Sequence, residues 1–246
     1  MEQVPERSSY NALFWRGSRD ILPLIIAAIP FGIVYGAMGQ ALGLTQWQVM
    51  GMSLFVFAGS SQFIAVTLLA SAAALPIICL TVFIVNLRHM LYAASLMQAV
   101  DKVPALLRVP MAFWLTDESC AVSANRLREK GESGMTFYAY YTGAAATMYI
   151  NWQICTWVGI TAGRQIPDMT QWGLDIAIVV AFIGMVVPSL ERASHWACAA
   201  TAAVCMMLTY DWPHQSGLLF SSLVAISVGV LIMQRQDSGL AGRMVE

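Results

Sequence analysis

Apolar positions run along this chain in long blocks separated by short polar breaks. Reading the blocks from the amino terminus predicts helical spans at 21–43, 48–71, 75–97, 103–125, 135–162, 173–190, 194–210 and 215–233. A helix needs about 18 or more consecutive apolar residues to cross a ~30 Å hydrocarbon layer, and most of these blocks reach that length. The fourth block fits the pattern least well. The expectation is an all-α, polytopic membrane helix bundle of seven to eight spans.

Composition strengthens that expectation. Hydrophobic residues make up 58% of the 246 positions and charged residues 11%, with a mean hydropathy of +0.65. These values lie outside ordinary globular usage. The first apolar run is too long for the core of a cleavable signal, so 21–43 is expected to remain as a span. A net charge of −1 without a basic stripe argues against nucleic acid as a partner. Cys79, Cys120, Cys155, Cys198 and Cys205 lie in apolar segments and read as small reduced hydrophobes. His89, His195 and His214 are far apart in sequence, and no metal or cofactor is expected.

Basic residues set the expected orientation, because short cytoplasmic loops collect Lys and Arg. Arg7, Arg16 and Arg19 precede the first span; Arg126, Arg128 and Lys130 follow the fourth; Arg192 falls between later spans; Arg235 and Arg243 follow the last. This predicts a cytoplasmic lead at 1–20, a first membrane repeat at 21–125, a cytoplasmic linker at 126–134, a second repeat at 135–234 and a cytoplasmic tail at 235–246. Residues 44–47 and 165–171 then lie on the opposite side. Asp101, Lys102 and Arg108 fit this arrangement less well. Arg164, Asp168, Asp175 and Glu191 lie near predicted span ends, where solvated charges are expected.

The two halves echo each other. Shifted by about 125 positions, "LTQWQVMGMSLFVFAG" (44–59) lies over "MTQWGLDIAIVVAFIG" (169–184), and Asn86 and His89 lie over Asp211 and His214. The pattern leaves open whether such repeats are parallel or inverted.

Three stretches break the apolar pattern at a free-energy cost. In "FAGSSQFIA", Gly59, Ser60, Ser61 and Gln62 combine weak helix propensity with side chains that compete for backbone hydrogen bonds. At membrane depth this suits either a substrate cleft or a close helix crossing with Gln62 as interhelical glue. In "NLRHMLY", Asn86 to Tyr92, Arg88 within an apolar span costs roughly 2.5–3.5 kcal/mol on insertion scales. It needs a polar partner, water or a ligand carboxylate, unless the stretch is an interfacial loop where Arg88 snorkels. In "LTDES", Asp117 and Glu118 are adjacent acids. Neighbours on a helix point about 100° apart, so both can border one interhelical cleft. Burial and mutual repulsion favour a shared proton, the property a proton-coupled transporter needs. The competing reading puts them at a cytoplasmic helix end. Gly32, Gly36, Gly39 and Gly43 form a small-residue face on the first span, suited to close contact inside the chain or with a partner.

Phe57-Ala-Gly-Ser-Ser-Gln-Phe63, Asn86-Leu-Arg-His-Met-Leu-Tyr92 and Leu115-Thr-Asp-Glu-Ser119, in this order and spacing, resemble the AzlC family, the large subunits of bacterial branched-chain amino acid exporters. The resemblance extends over nearly the whole chain. It implies export of valine, leucine, isoleucine or related neutral amino acids across the bacterial inner membrane, together with a small AzlD-type membrane subunit. Asn86 departs from an Asp found in some relatives, which puts an acidic role there in doubt. On the residues themselves, Arg88 can match a zwitterion's carboxylate and Asp117 or Glu118 its ammonium, while Phe57, Phe63, Tyr92 and Trp114 can enclose an apolar side chain. A passive channel is the rival class. No catalytic spacing of Ser, His or Asp supports an enzyme.

Overall fold

A computed structural model describes residues 7–165, 192–212 and 216–243, with 183, 187 and 190 between them. The described residues form helices without strands: α1 (Arg7–Asp20), α2 (Leu22–Ala41), α3 (Gln46–Phe55), α4 (Gly59–Ala70), α5 (Leu75–Asn86), α6 (Arg88–Val100), α7 (Ala105–Phe113), α8 (Asp117–Lys130), α9 (Met135–Gln165), α10 (Ala193–Leu208) and α11 (Ser216–Arg243). Contacts divide the chain into two compact units, Met1–Ala177 and Ile178–Glu246. Among the described residues, two helical stretches are long and apolar enough to cross a membrane, Leu22–Ala41 and Leu75–Val100. Apart from residues 165, 183, 187 and 190, the predicted span 173–190, the shifted copy at 169–184 and the loop 165–171 lie outside the described residues, as do His214, Asp168, Asp175 and Glu191.

The first unit is framed by α9, 31 residues and so about 46 Å long. Beside it α1 and α2 run in parallel. Ser18 donates to the carbonyl of Gly143, 125 residues on. Further along, Gly32 sits against Cys155, and Gly36 against Gly159 and Ile160. A side chain at Gly36 or Gly159 would run into the facing backbone, so the two helices approach to a distance that only glycine permits. The glycine face of the first span is therefore internal. Gly39 faces Val49 of α3, while Gly43 terminates the helix with φ +87.

Three predicted spans are not continuous helices. The block 48–71 is a hairpin: α3 and α4 are joined at Val56–Ala58, and the chain doubles back. Leu42, Gly43, Leu44, Gln48 and Met52 line one cavity of about 460 Å³ with Leu69 and Ala70; on a straight helix Leu44 and Leu69 would be ~37 Å apart. Helix α3 starts with a capping box between Thr45 and Gln48. It ends because Phe57 adopts φ +44, a left-handed conformation that a bulky residue holds only under external constraint.

The block 103–125 is a second hairpin, α7 and α8, joined at Trp114–Thr116. The chain segments that lead into and out of it touch: the Gly134 amide donates to the Ala99 carbonyl at 2.9 Å. Arg108 is turned back onto the carbonyls of Val103 and Asp101. A capping box between Thr116 and Ser119 opens α8, acids occupy its first turn and bases its last, and Gly131 in the left-handed conformation closes it. Asp117 and Glu118 therefore do not lie within a continuous span. They open a half-length helix, because Thr116 is extended and caps the next amides along the chain.

The block 75–97 extends to Val100 and bends at Leu87. Leu87 keeps helical dihedrals, and the Asn86 carbonyl is met by His89 Nδ1 at 3.1 Å. A carbonyl only accepts, which puts the hydrogen on Nδ1.

The hairpins enter from opposite ends of α9. The base of α3–α4 follows α2, whose Gly36 packs beside Thr156 to Ile160, whereas the base of α7–α8 adjoins Gly134 and the start of α9. Their tips meet midway, with the Phe57 and Phe113 ring centroids 6.4 Å apart and both rings against Tyr149. This layout also brings Lys102 and Arg108 to the end that holds Arg126, Arg128 and Lys130. The poor fit of Asp101, Lys102 and Arg108 came from drawing 103–125 as a crossing.

In the second unit α10 and α11 pair in antiparallel fashion. Gly217 lies on Thr209, and Gly229 lies on Cys198 and Ser194.

Candidate functional site

The three sequence breaks converge through one guanidinium. Arg88, at the bend of α5–α6, donates from Nη1 to Asp117 Oδ2 and from Nη2 to Ser60 Oγ, each at 2.7 Å. Its Nε is buried without a hydrogen-bond partner. One side chain thus ties the first turn of α4, the bend of α5–α6 and the first turn of α8. The Arg88 and Asp117 side chains keep 25% and 39% of their surface, so the pair is reachable from outside the protein rather than sealed within it. A short charge-assisted pair of this kind is the arrangement a zwitterionic ligand can open and rebuild with its own charges.

The neighbouring residues extend the cluster. Ser61 Oγ donates to Asn86 Oδ1 at 2.6 Å, tying α4 to the end of α5. Tyr92 lies close enough to feel the charges of Asp117 and Arg88, and the ring of His89 stands edge-on to it at 5.8 Å. Glu118 follows Asp117 in the first turn of α8, close enough to feel the charges of Asp117 and Arg88. Helix α4 has no side-chain cap on Ala58, so the positive end of its dipole is left open beside Ser60.

Gln62 is fully buried, with Oε1 accepting from Trp152 Nε1 and Nε2 donating to Ser53 Oγ, both at 3.1 Å. Ser53 in turn shares a 2.8 Å hydrogen bond with Thr156. This network fastens both arms of α3–α4 to α9. Gly59 belongs to it sterically, because a Cβ there would meet the Trp152 ring at 3.0 Å. The structure thus brings Ser60, Ser61, Asn86, Arg88, Tyr92, Asp117 and Glu118 together, with Gly59 and Gln62 behind them.

Sequence reasoning missed Ser53, Tyr149, Trp152 and Thr156, and Phe113 at the second tip. A signal existed: Asn151-Trp152-Gln153 puts two carboxamides and an indole N–H in the middle of α9. Among the described residues no group of three His, Cys, Asp or Glu side chains is placed to hold a metal.

Residues 23–166, which include all three breaks and the frame that holds them, match the family model described as AzlC protein. This chain belongs to the AzlC family. Among its relatives, the inner membrane protein YgaZ of Escherichia coli is 27% identical over 236 residues, covering 93% of this chain and 91% of the relative. An uncharacterized membrane protein of Archaeoglobus fulgidus is 31% identical over 80% of this chain and 85% of its own length. The branched-chain amino acid transport protein AzlC of Bacillus subtilis is 25% identical over 72% of this chain and 68% of its own length. No solved structure matches. The chain is a membrane protein of a transport-related family, and the AzlC membership expected from its motifs holds.

Proposed function

We propose that this AzlC protein is a secondary transporter that exports branched-chain and related neutral amino acids across the bacterial inner membrane. The observation that carries this reading is the junction at Arg88, where a guanidinium with its Nε unpartnered pairs with Asp117, the first of two adjacent acids, between three interrupted helices. Interrupted helices with open N-termini near the middle of a span are how many secondary transporters hold a small charged substrate. The amino acid's carboxylate sits on Arg88 and Ser60, and its ammonium on Asp117 or Glu118. Ser61, Asn86 and Tyr92 orient these groups, and Gly59 and Gln62 hold α4 in place.

Export is coupled to protons through Asp117 and Glu118. While Arg88 is paired with Asp117, Glu118 is the carboxyl free to exchange a proton, and differential affinity of the two access states for that proton supplies the coupling. The end of the first unit that carries Lys102, Arg108, Arg126, Arg128 and Lys130 is cytoplasmic, since the described loops at the opposite end, 42–45 and 71–74, contain no charge at all. Family resemblance supports a small AzlD-type subunit as the partner; the glycine face does not, being filled by α9 and α3. Co-purification in mild detergent with a small membrane protein tests the partner.

Export of a labelled amino-acid panel from loaded cells, with and without the protein, tests the function. Branched-chain substrates should leave faster with it, and no change for any neutral amino acid refutes the reading. In everted vesicles Asp117→Asn or Glu118→Gln should abolish proton-driven accumulation while exchange at equal concentrations survives. Conduction only down the substrate gradient in the unaltered protein would identify a passive channel instead.

A further inference from the structure

We propose that the aromatic cluster where the two hairpin tips meet is the subsite that receives the transported amino acid's side chain and sets its size limit. This subsite rests on the protein being an amino-acid transporter. Three observations support it. First, four rings from three elements converge there: the Tyr149 centroid is 4.8 Å from Phe57, 6.1 Å from Phe113 and 5.9 Å from Trp114. Second, Phe57 is 4% exposed and holds a left-handed φ of +44, a strained conformation for a bulky residue that its surroundings must maintain. Third, the cluster is covalently next to the charged junction on both sides. Phe57 lies three residues before Ser60, and Trp114 three before Asp117.

That adjacency fixes which way a bound zwitterion points. With the carboxylate on Arg88 and Ser60 and the ammonium on the acids of α8, both charged ends are anchored at the first turns of α4 and α8. The side chain then projects toward the residues preceding those turns, which are the tips. The rings offer an apolar surface to a branched aliphatic chain and no partner for a polar one, so a polar side chain loses its hydration without compensation.

The members differ in what they do. Tyr149 is the fixed wall: its hydroxyl donates to the Leu54 carbonyl at 3.0 Å, and it stands on α9, the most extensively packed helix of the unit. Phe113 is the adjustable wall, 41% exposed at the end of α7 and in contact with Phe57 and Tyr149 without any hydrogen bond to hold it. Its size should determine how large a side chain the site accepts.

The test uses the full chain in cells, with export of labelled valine and phenylalanine measured in parallel and the membrane level of each variant determined. Phe113→Ala, at a partly exposed position, should raise the phenylalanine-to-valine export ratio about tenfold, with Phe113→Leu intermediate, the range that removing methylene-sized groups from an apolar site produces. A ratio that stays at the wild-type value in both variants while export continues overturns the proposal. So does equal loss of both substrates in both variants at normal membrane levels, which would make the cluster structural. If the wild-type protein exports neither amino acid nor any other neutral one, the transport reading itself fails, and that result is separate from any change among the variants.

Discussion

Replacing Gly159 by Ala tests whether the α2–α9 contact is the frame on which the site depends. A Cβ at that position would meet the Ile33 carbonyl oxygen and come within 2.9 Å of its carbon and 3.0 Å of the Ala37 nitrogen, whereas ordinary contact begins at 3.4 Å. All three are backbone atoms of α2 and cannot swing aside. The helices must therefore separate, by about 0.5–1 Å, and a gap of that size forfeits a quarter to a half of each dispersion contact across it. The interface includes Tyr35, Ala37 and Ile160, each at most 3% exposed. Overpacking of this kind costs about 1–3 kcal/mol. For a chain of this size about 2 kcal/mol lowers the apparent melting temperature by roughly 4–8 °C. Gly51 is the internal control, a helical glycine with nothing within 4 Å of its missing Cβ. Gly51→Ala should leave the melting temperature unchanged or raise it by up to ~4 °C through better helix propensity. Melting in detergent followed by tryptophan fluorescence distinguishes these outcomes. If Gly159→Ala melts with the wild type, or if Gly51→Ala falls as far as Gly159→Ala, the close-packing argument is wrong.

In a background with the native cysteines replaced, single cysteines at Thr45 and Ala73 should react with an impermeant maleimide on intact cells, while those at Lys102 and Lys130 should react only after lysis; labelling of position 102 on intact cells would restore 103–125 as a crossing. Gln62→Leu leaves the buried Trp152 indole N–H without its acceptor and should cost about 1–3 kcal/mol. Much of that loss should return in the Gln62→Leu/Trp152→Phe double variant, and strictly additive melting shifts would argue against the network. Arg88→Lys keeps the charge but not the fork that bridges Asp117 and Ser60, so export should fall by about tenfold or more, roughly 1.4 kcal/mol of lost stabilisation. Near-normal export by Arg88→Lys would remove Arg88 from the substrate site.

Where the helices fail, and which residues are costly to bury there, can be read along the chain alone. Gly59 to Gln62, Asn86 to Arg88 and Asp117–Glu118 are costly in an apolar segment, and that cost is local: it depends on side-chain identity and the surrounding solvent, both legible in one dimension. The path the backbone takes after each break was not legible. Beyond Phe55 the chain can bend or reverse, and the two outcomes have the same composition. Reversal is decided by Phe57 being held left-handed against Tyr149, 92 positions later in the chain, and by Ser53 and Gln62 sharing a network with Trp152 and Thr156. The glycine face of α2 is a similar case. Its spacing announces a close contact, but only the parallel run of α9 identifies the partner as internal. The charge of Arg88 demanded a counter-charge, and the sequence held two adjacent candidates. The choice of Asp117 comes from the first-turn geometry of α8, where successive side chains leave the axis about 100° apart and Asp117 is the one that meets Arg88 at the bend of α5–α6.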